Sequence, residues 1–279
     1  MILNANFFYV KKILKFYKKY GLRFLLSLVL NTLIRKMGLF DKIELTSIKN
    51  EVELKSLFNN IVAYGPFKGM KMTDQIWWEK NNSASKYFGE YESHILSKLI
   101  HLSDKYNNFI NIGAGDGYYA IGLMVSRKYK SVVCFERSEE GRQTIKTNAI
   151  INKISKNLSI YGQSNSIEIL KVLDNLGPSV ILCDIEGEEY ELFDDKLLSA
   201  LKRCTIIIEL HNNKFSKLKL SENLIDISKK YFNIELIARS NPNVNNFKEL
   251  SSWGDNERYL AFSEGRPERM EWICLKPKY

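Results

Sequence analysis

The sequence predicts an α/β fold in which a mostly parallel, seven-stranded sheet is flanked by helices and preceded by a helical N-terminal extension. Three observations predict it. Short apolar runs recur at 109–113, 132–136, 158–161, 180–184, 205–210, 234–238 and 272–275. Stretches with helical spacing, such as 119–127, 139–152 and 216–231, fill most of the gaps between them. Several runs end in Gly, Asp or Glu, the residue types expected where the carboxyl ends of strands meet a ligand. Strands separated by helices imply parallel pairing and a sheet buried on both faces.

The chain has 279 residues, 45% hydrophobic and 26% charged, a globular composition rather than a disordered or disulfide-stapled one. Its net charge of +9 is unevenly placed. Residues 1–40 hold eight cations (Lys11, Lys12, Lys15, Lys18, Lys19, Arg23, Arg35 and Lys36) and no acid, which leaves +1 for the remainder. A near-neutral body has no broad basic face, so nucleic acid is not an expected partner.

Within the extension, the longest uncharged run is 24–34, short of the roughly 20 residues a spanning helix needs. Arg35-Lys36-Met37 stands where a cleaved signal peptide has small residues. Ile13, Leu14, Tyr17, Phe24, Leu25 and Leu28 recur at helical spacing, with Lys11, Lys15, Lys18 and Lys19 on another face. Such a helix either packs on the main domain or lies against an anionic membrane surface or a protein partner. The expected location is cytoplasmic, with residues 1–40 as the segment for peripheral attachment at the inner face of the membrane.

The extension is taken as 1–75, with a turn at Tyr64-Gly65-Pro66, and the body as 76–279, with an aromatic pair at Trp77-Trp78 near its start. Residues 87–104 read as a helix through Ile95, Leu96, Leu99 and Ile100. Cys134, Cys183, Cys204 and Cys274 form no CxxC pair and lie in or beside apolar runs, as buried thiols in a reducing compartment do.

The first run ends in Asn111-Ile112-Gly113-Ala114-Gly115-Asp116-Gly117, and a helical stretch follows. Alternate glycines let the backbone turn sharply and approach a ligand closely. The second run ends at Glu136, placed to accept hydrogen bonds from ribose hydroxyls. Together they point to an adenosine-containing cofactor. A dinucleotide fingerprint needs G-x-G-x-x-G, and Tyr118 occupies the place of its third glycine. No Lys-Ser/Thr ending completes a phosphate-binding P-loop either.

The spacing resembles the first motif of class I S-adenosylmethionine-dependent methyltransferases, whose fold is a Rossmann-like sheet. Asp184-Ile185-Glu186-Gly187-Glu188-Glu189, which starts on the last residue of the fourth run, with Ile207-Ile208-Glu209-Leu210-His211, which ends just past the fifth, resembles the FkbM-type family within that class. The resemblance covers roughly residues 87–240. It implies that Gly113, Ala114, Gly115, Asp116 and Gly117 cradle the amino-acid part of S-adenosylmethionine and that Glu136 holds its ribose. Gln163 and Asp184 join the cofactor-binding candidates. Asn111 stands where these enzymes commonly have an acid; it can accept a hydrogen bond from the cofactor's amino group but brings no charge.

The resemblance favours methylation of a hydroxyl on a saccharide, glycan or similar small molecule. The Asn/Asp-Pro-Pro-Tyr/Phe ending of exocyclic amino methyltransferases is absent, and Cys183 lies inside a strand rather than in a nucleophile loop. Methyl transfer to oxygen needs a positioned hydroxyl and a base for its proton. Asp184, Glu186, Glu189 and His211 are the candidates, with Asp184, Glu186 and His211 the catalytic set. Grouped carboxylates and a histidine also suit a divalent cation, but their spacing matches no closed site, and no metal is expected.

Between the last two runs lies a long connection carrying Trp253, Arg258, Arg266 and Arg269. Arginine forks bind carboxylates or phosphates and a tryptophan face suits a sugar ring, so these four are the substrate-binding candidates. Two other readings stand beside the methyltransferase: an NAD-linked oxidoreductase, and a non-catalytic cofactor-binding adaptor of a membrane-associated assembly.

Overall fold

The structure, a computed structural model, describes residues 21–23, 26, 27, 29–33, 37, 42–74, 84–211, 215–240, 242–263 and 271–278. The apolar positions expected at Ile13, Leu14, Tyr17, Phe24, Leu25 and Leu28, the lysines of residues 1–20, Trp77-Trp78, Arg266 and Arg269 lie outside them. The chain divides into two units, 1–49 and 50–279. In the first, the described residues between 21 and 33 are helical and leave Leu22, Leu26, Val29, Leu30 and Leu33 exposed. Among the described residues, no helix is long and apolar enough to cross a membrane.

The larger unit begins earlier than the expected 76, because Leu54, Val62, Phe67 and Met70 are buried within it. Its described elements run α1 (Lys42–Phe58, begun in the first unit), α2 (Ala84–Tyr87), α3 (Ser93–Leu102), β1 (Asn108–Ile112), α4 (Tyr118–Val125), β2 (Ser131–Phe135), α5 (Glu139–Ile151), β3 (Leu158–Tyr161) and α6 (Ser166–Leu176). They continue with β4 (Val180–Cys183), α7 (Glu189–Leu192), α8 (Asp195–Ala200), β5 (Thr205–Leu210), α9 (Phe215–Ser228), β6 (Phe232–Ile237), α10 (Asp255–Leu260) and β7 (Glu271–Pro277). The helix expected over 87–104 is interrupted: residues 88–92 turn between α2 and α3, with Glu92 in the left-handed region at φ 43°.

The seven strands lie in the order β3-β2-β1-β4-β5-β7-β6. Pairings from β3 through β5 are parallel, whereas β7 is antiparallel to both β5 and β6. The sheet is therefore mixed, which corrects the expectation of a mostly parallel one. The reason lies in the connection after β6. It does not carry the chain back across the sheet, so β7 starts at the edge where β6 ends, with Trp272 opposite Ile237, and runs the other way.

Alternation along each strand divides the core in two. Phe109, Val132, Cys134, Val180, Leu182, Ile207 and Cys274 face α3, α4 and α5, whose Leu99, Ile121 and Ile145 complete that layer. Ile110, Ile112, Val133, Ile181, Cys183, Ile208 and Ile273 face the other side, against Ile169 and Val172 of α6, Leu197 and Leu198 of α8 and Leu224 of α9. Burial on both faces is what continuously apolar strands require. All four cysteines are free thiols and buried; burial pushes the Cys274 thiol up to about 11.

Local signals set the helix starts. Ser138 Oγ accepts from Gly141 N at 3.2 Å to begin α5, and Asn165 Oδ1 accepts from Glu168 N at 2.9 Å to begin α6. Asp194 does the same for α8 through Leu197 N at 2.7 Å.

A third cluster joins distant parts of the sequence: Leu54, Tyr87 and Phe88 pack with Val244, Phe247, Leu250 and Phe262. The rings of Phe88, Phe247 and Phe262 meet with centroids 4.7–5.3 Å apart. The long connection before β7 is thus anchored to the segment before α3. Phe88 is fully buried, so Phe88→Ala is expected to cost about 3–5 kcal/mol in denaturant unfolding. A variant within about 1 kcal/mol of the parent would show that the cluster does not hold this segment.

Candidate functional site

Parallel strands place their carboxyl ends at one edge, and β7 brings its start to the same edge. A cavity of about 180 Å3 opens there. Its floor is the end of β1 and the loop after it, where Asn111, Gly113, Ala114, Gly115 and Asp116 line it. Glu136, Arg137 and Ser138 enter from the end of β2, and Gln163 and Ser164 from the end of β3. Asp184, Ile185, Glu186 and Glu188 come from the end of β4, and Trp272 from the start of β7. Lys86, Tyr91 and Glu92, from the segment leading into α3, close the other side with Tyr118 and Tyr119 of α4.

Hydrogen bonds fix this loop. Glu136, 5% exposed, accepts from Gly115 N through Oε2 and from Ser138 N through Oε1, each at 2.8 Å. Asp116 Oδ1 accepts from Tyr118 N at 3.1 Å at the start of α4, and its Oδ2 takes the Lys86 ammonium at 2.8 Å. Lys86 is buried and its Nζ lies 4.8 Å from the Tyr91 ring centroid and 5.8 Å from that of Tyr118. Glu92 is also buried and accepts from Tyr119 Oη at 2.6 Å. At the exposed rim, Arg137 pairs with Glu188 at 2.8 Å.

Behind the β4 loop lies a second polar group. His211, just past β5, is 2% exposed. Its Nδ1 lies 3.0 Å from Glu189 Oε1, which also accepts from the His211 backbone N at 3.2 Å. Glu189 is fully buried, and its Oε2 accepts from Gly187 N at 2.8 Å. On the other side of the ring, Nε2 faces Asp184 Oδ1 at 3.4 Å and Glu186 Oε2 and Glu209 Oε2 at 3.5 Å each. Burial works against a charged imidazolium, yet the hydrogen bond with Glu189 and the charges of Asp184, Glu189 and Glu186 outweigh it and hold the His211 pKa above its ordinary value. Burial likewise opposes ionisation of Glu189, and its hydrogen bond and charge pairing with His211 hold that pKa below the ordinary value.

Of the cofactor candidates, Asn111, Gly113, Ala114, Gly115, Asp116, Glu136, Gln163 and Asp184 all line the cavity. Gly117 does not; it opens α4 at φ 83°, where a Cβ would come within 3.0 Å of Ile145 Cγ1. Of the catalytic candidates, Asp184 and Glu186 line the cavity, while His211 stands behind them, buried rather than at the surface. Glu189, weighed as a base, reaches His211 and not the cavity. Trp253 packs against the aromatic cluster around Phe88, and Arg258 is engaged by Asn245 Oδ1 at 3.0 Å and by Asp255. Neither of these two substrate candidates lines the cavity.

Sequence reasoning passed over Lys86, Tyr91, Glu92, Tyr119 and Trp272. For Tyr91 and Glu92 a signal was present: Gly89-Glu90-Tyr91-Glu92 interrupts the apolar spacing just before α3.

No family model and no curated protein matches the chain. Solved structures do. A proposed O-methyltransferase from Klebsiella pneumoniae is 12% identical, with a TM-score of 0.42 over 88% of this chain and 94% of that one. A proposed tRNA (m1A22) methyltransferase from Streptococcus pneumoniae, in complex with S-adenosyl-L-methionine, is 13% identical, with a TM-score of 0.42 over 65% and 70% of the two chains. Cofactor-bound Rv0187 from MTB is 10% identical, with a TM-score of 0.43 over 65% and 79%. At this level of likeness the functional reading rests on the residues themselves.

Proposed function

We propose that the chain is an S-adenosylmethionine-dependent O-methyltransferase of the FkbM type, acting on a hydroxyl of a saccharide or similar small molecule. The observation that carries this reading is the meeting in one cavity of the glycine loop after β1, Glu136 after β2 and Asp184 after β4. The residues fit the cofactor at both ends. Glu136 presents two carboxylate oxygens, each accepting from one backbone N–H and with a second lone pair to offer, to a ribose diol. Lys86 and Glu92 supply buried charges of opposite sign, suited to the carboxylate and ammonium of an amino acid.

Bound there, S-adenosylmethionine supplies an electrophilic methyl group. The aromatic wall of Tyr91, Tyr118 and Trp272 excludes water from it. Asp184 and Glu186 face the cavity with His211 behind them, and this group receives the proton that the acceptor hydroxyl gives up. The oxygen target is favoured by that group of proton acceptors and by the Asp-Ile-Glu-Gly-Glu-Glu motif that carries it.

A thermal-shift titration tests the cofactor. S-adenosylmethionine and S-adenosylhomocysteine are each expected to stabilise the protein, by about 2.7 kcal/mol at 100 times Kd. Glu136→Gln is expected to weaken both about tenfold, the loss of a charge-assisted hydrogen bond to ribose. A response to NAD alone would sink the methyltransferase reading, and silence from all three would favour the adaptor.

A further inference from the structure

We infer that Asp184, Glu186 and His211 form a binding site for a divalent cation opening onto the cavity. One ligand atom from each lies within 4.8 Å of the others. His211 Nε2 is 3.4 Å from Asp184 Oδ1 and 3.5 Å from Glu186 Oε2. An imidazolium paired directly with a carboxylate closes to about 2.7–2.9 Å. The observed separations are longer, and near the edge of a coordination shell, about 3.3 Å for a tetrahedral cation with ligands about 2.0–2.1 Å away.

The histidine is prepared as a ligand. Its ring is buried, and Nδ1 is committed to Glu189, which is itself held by Gly187 N. A carboxylate on one ring nitrogen fixes the tautomer and orientation that direct the other nitrogen to a metal. The geometry also leaves one side open. Asp184 and Glu186 line the cavity while His211 closes the rear from the end of β5, so a cation held here has protein behind it and the cavity in front. Three protein ligands with an open face make a catalytic rather than a structural site. Two carboxylates and one imidazole suit a cation of the Mn2+ and Zn2+ class better than Ca2+, which takes six to eight oxygens.

The cation's role rests on the methyltransferase reading. It lowers the pKa of the acceptor hydroxyl, whose proton passes to the cavity-facing carboxylates of Asp184 and Glu186 and from them to solvent. The oxygen's electron pair forms the new bond to the methyl carbon, and the carbon–sulfur bond breaks with its pair going to sulfur.

The full chain, stripped with EDTA and dialysed, is titrated with Mn2+ alone and followed by the electron paramagnetic resonance signal of the free ion. One saturable site is expected, weakened at least tenfold by Glu186→Gln and by His211→Ala. Glu191→Gln removes an exposed carboxylate of α7 outside the triad and is expected to leave it unchanged. Glu186 is 53% exposed, so its variant keeps the fold and the result remains decisive even if His211→Ala is unstable. No saturable binding below about 1 mM Mn2+ overturns the site, as does binding indifferent to Glu186→Gln. Cofactor takes no part in the titration, so the two readings fail separately. Stabilisation by S-adenosylmethionine without a Mn2+ site removes only the cation, and a Mn2+ site without cofactor response removes only the methyltransferase.

Discussion

Gly113→Ala is expected to unfold much of the protein or to cost more than about 4 kcal/mol, and to abolish the response to S-adenosylmethionine. Gly113 directly follows β1 at φ +80°, where an alanine is strained before any contact is considered. A Cβ there would lie 1.7 Å from the Asp184 carbonyl oxygen and 2.8 Å from its carbon. Both are backbone atoms, so no side chain can swing aside. Relief would have to come from separating β1 and the segment after β4, which are joined by Asp184 N donating to Ile112 O at 3.0 Å. Gly113 N also donates to Phe135 O at 2.9 Å, so the strain would reach β2 as well. The cavity floor sits at this junction, which is why stability and cofactor response are lost together. Gly162→Ala, beyond β3 with nothing within 4 Å of its added carbon, is the control and is expected to stay within about 0.5 kcal/mol. A loss of about 4 kcal/mol corresponds to roughly 8–16 °C in Tm. A Gly113→Ala protein melting within 2 °C of the parent would show that the close approach of β1 and the β4 loop is not what holds the site.

The same junction explains what the sequence could and could not reveal. The strands were legible because burial on both faces makes each an unbroken apolar run, and the site edge because Gly113, Glu136 and Asp184 end three of them. The direction of β7 was not legible, since 272–275 reads the same whichever way the strand runs. A parallel β7 would put Trp272 at the edge remote from the cavity; the antiparallel one puts it in the wall. His211 was placed correctly at the end of β5, but its burial depends on Glu189, a partner 22 positions back that composition does not distinguish from its neighbours Glu186 and Glu188. Lys86 was missed for a like reason, because a buried cation is recognised by its partner, and Asp116 is 30 residues away. In the tail, residue type suggested a pocket. Arg258 pairs locally with Asn245 and Asp255, and Trp253 joins the aromatic cluster instead.

Glu189→Gln is expected to cost about 3 kcal/mol and to flatten the pH dependence of stability, measured with EDTA present so that no cation competes for His211. Glu189 is fully buried and accepts three hydrogen bonds, from Gly187 N, His211 N and His211 Nδ1. Glutamine offers one acceptor oxygen and an amide that donates, so at least one N–H of the three would face another donor. The charge is lost too, and with it the partner that favours a protonated His211. The signs follow from the two shifts. His211 is raised above 6.5, so its contribution is fully present below about pH 6.5 and is lost as pH rises through the folded value. Glu189 is lowered from 4.5, so its contribution is present above about pH 4.5 and is lost as pH falls through the folded value. The pair therefore stabilises most between about pH 4.5 and 6.5, and the parent should lose stability on both sides of that band. In Glu189→Gln both slopes should shrink while the rest of the titration remains. Equal midpoints and equal slopes in the two proteins would mean that the buried pair does not hold the β4 loop against the end of β5, and Asp184 and Glu186 would then owe their positions to something other than His211.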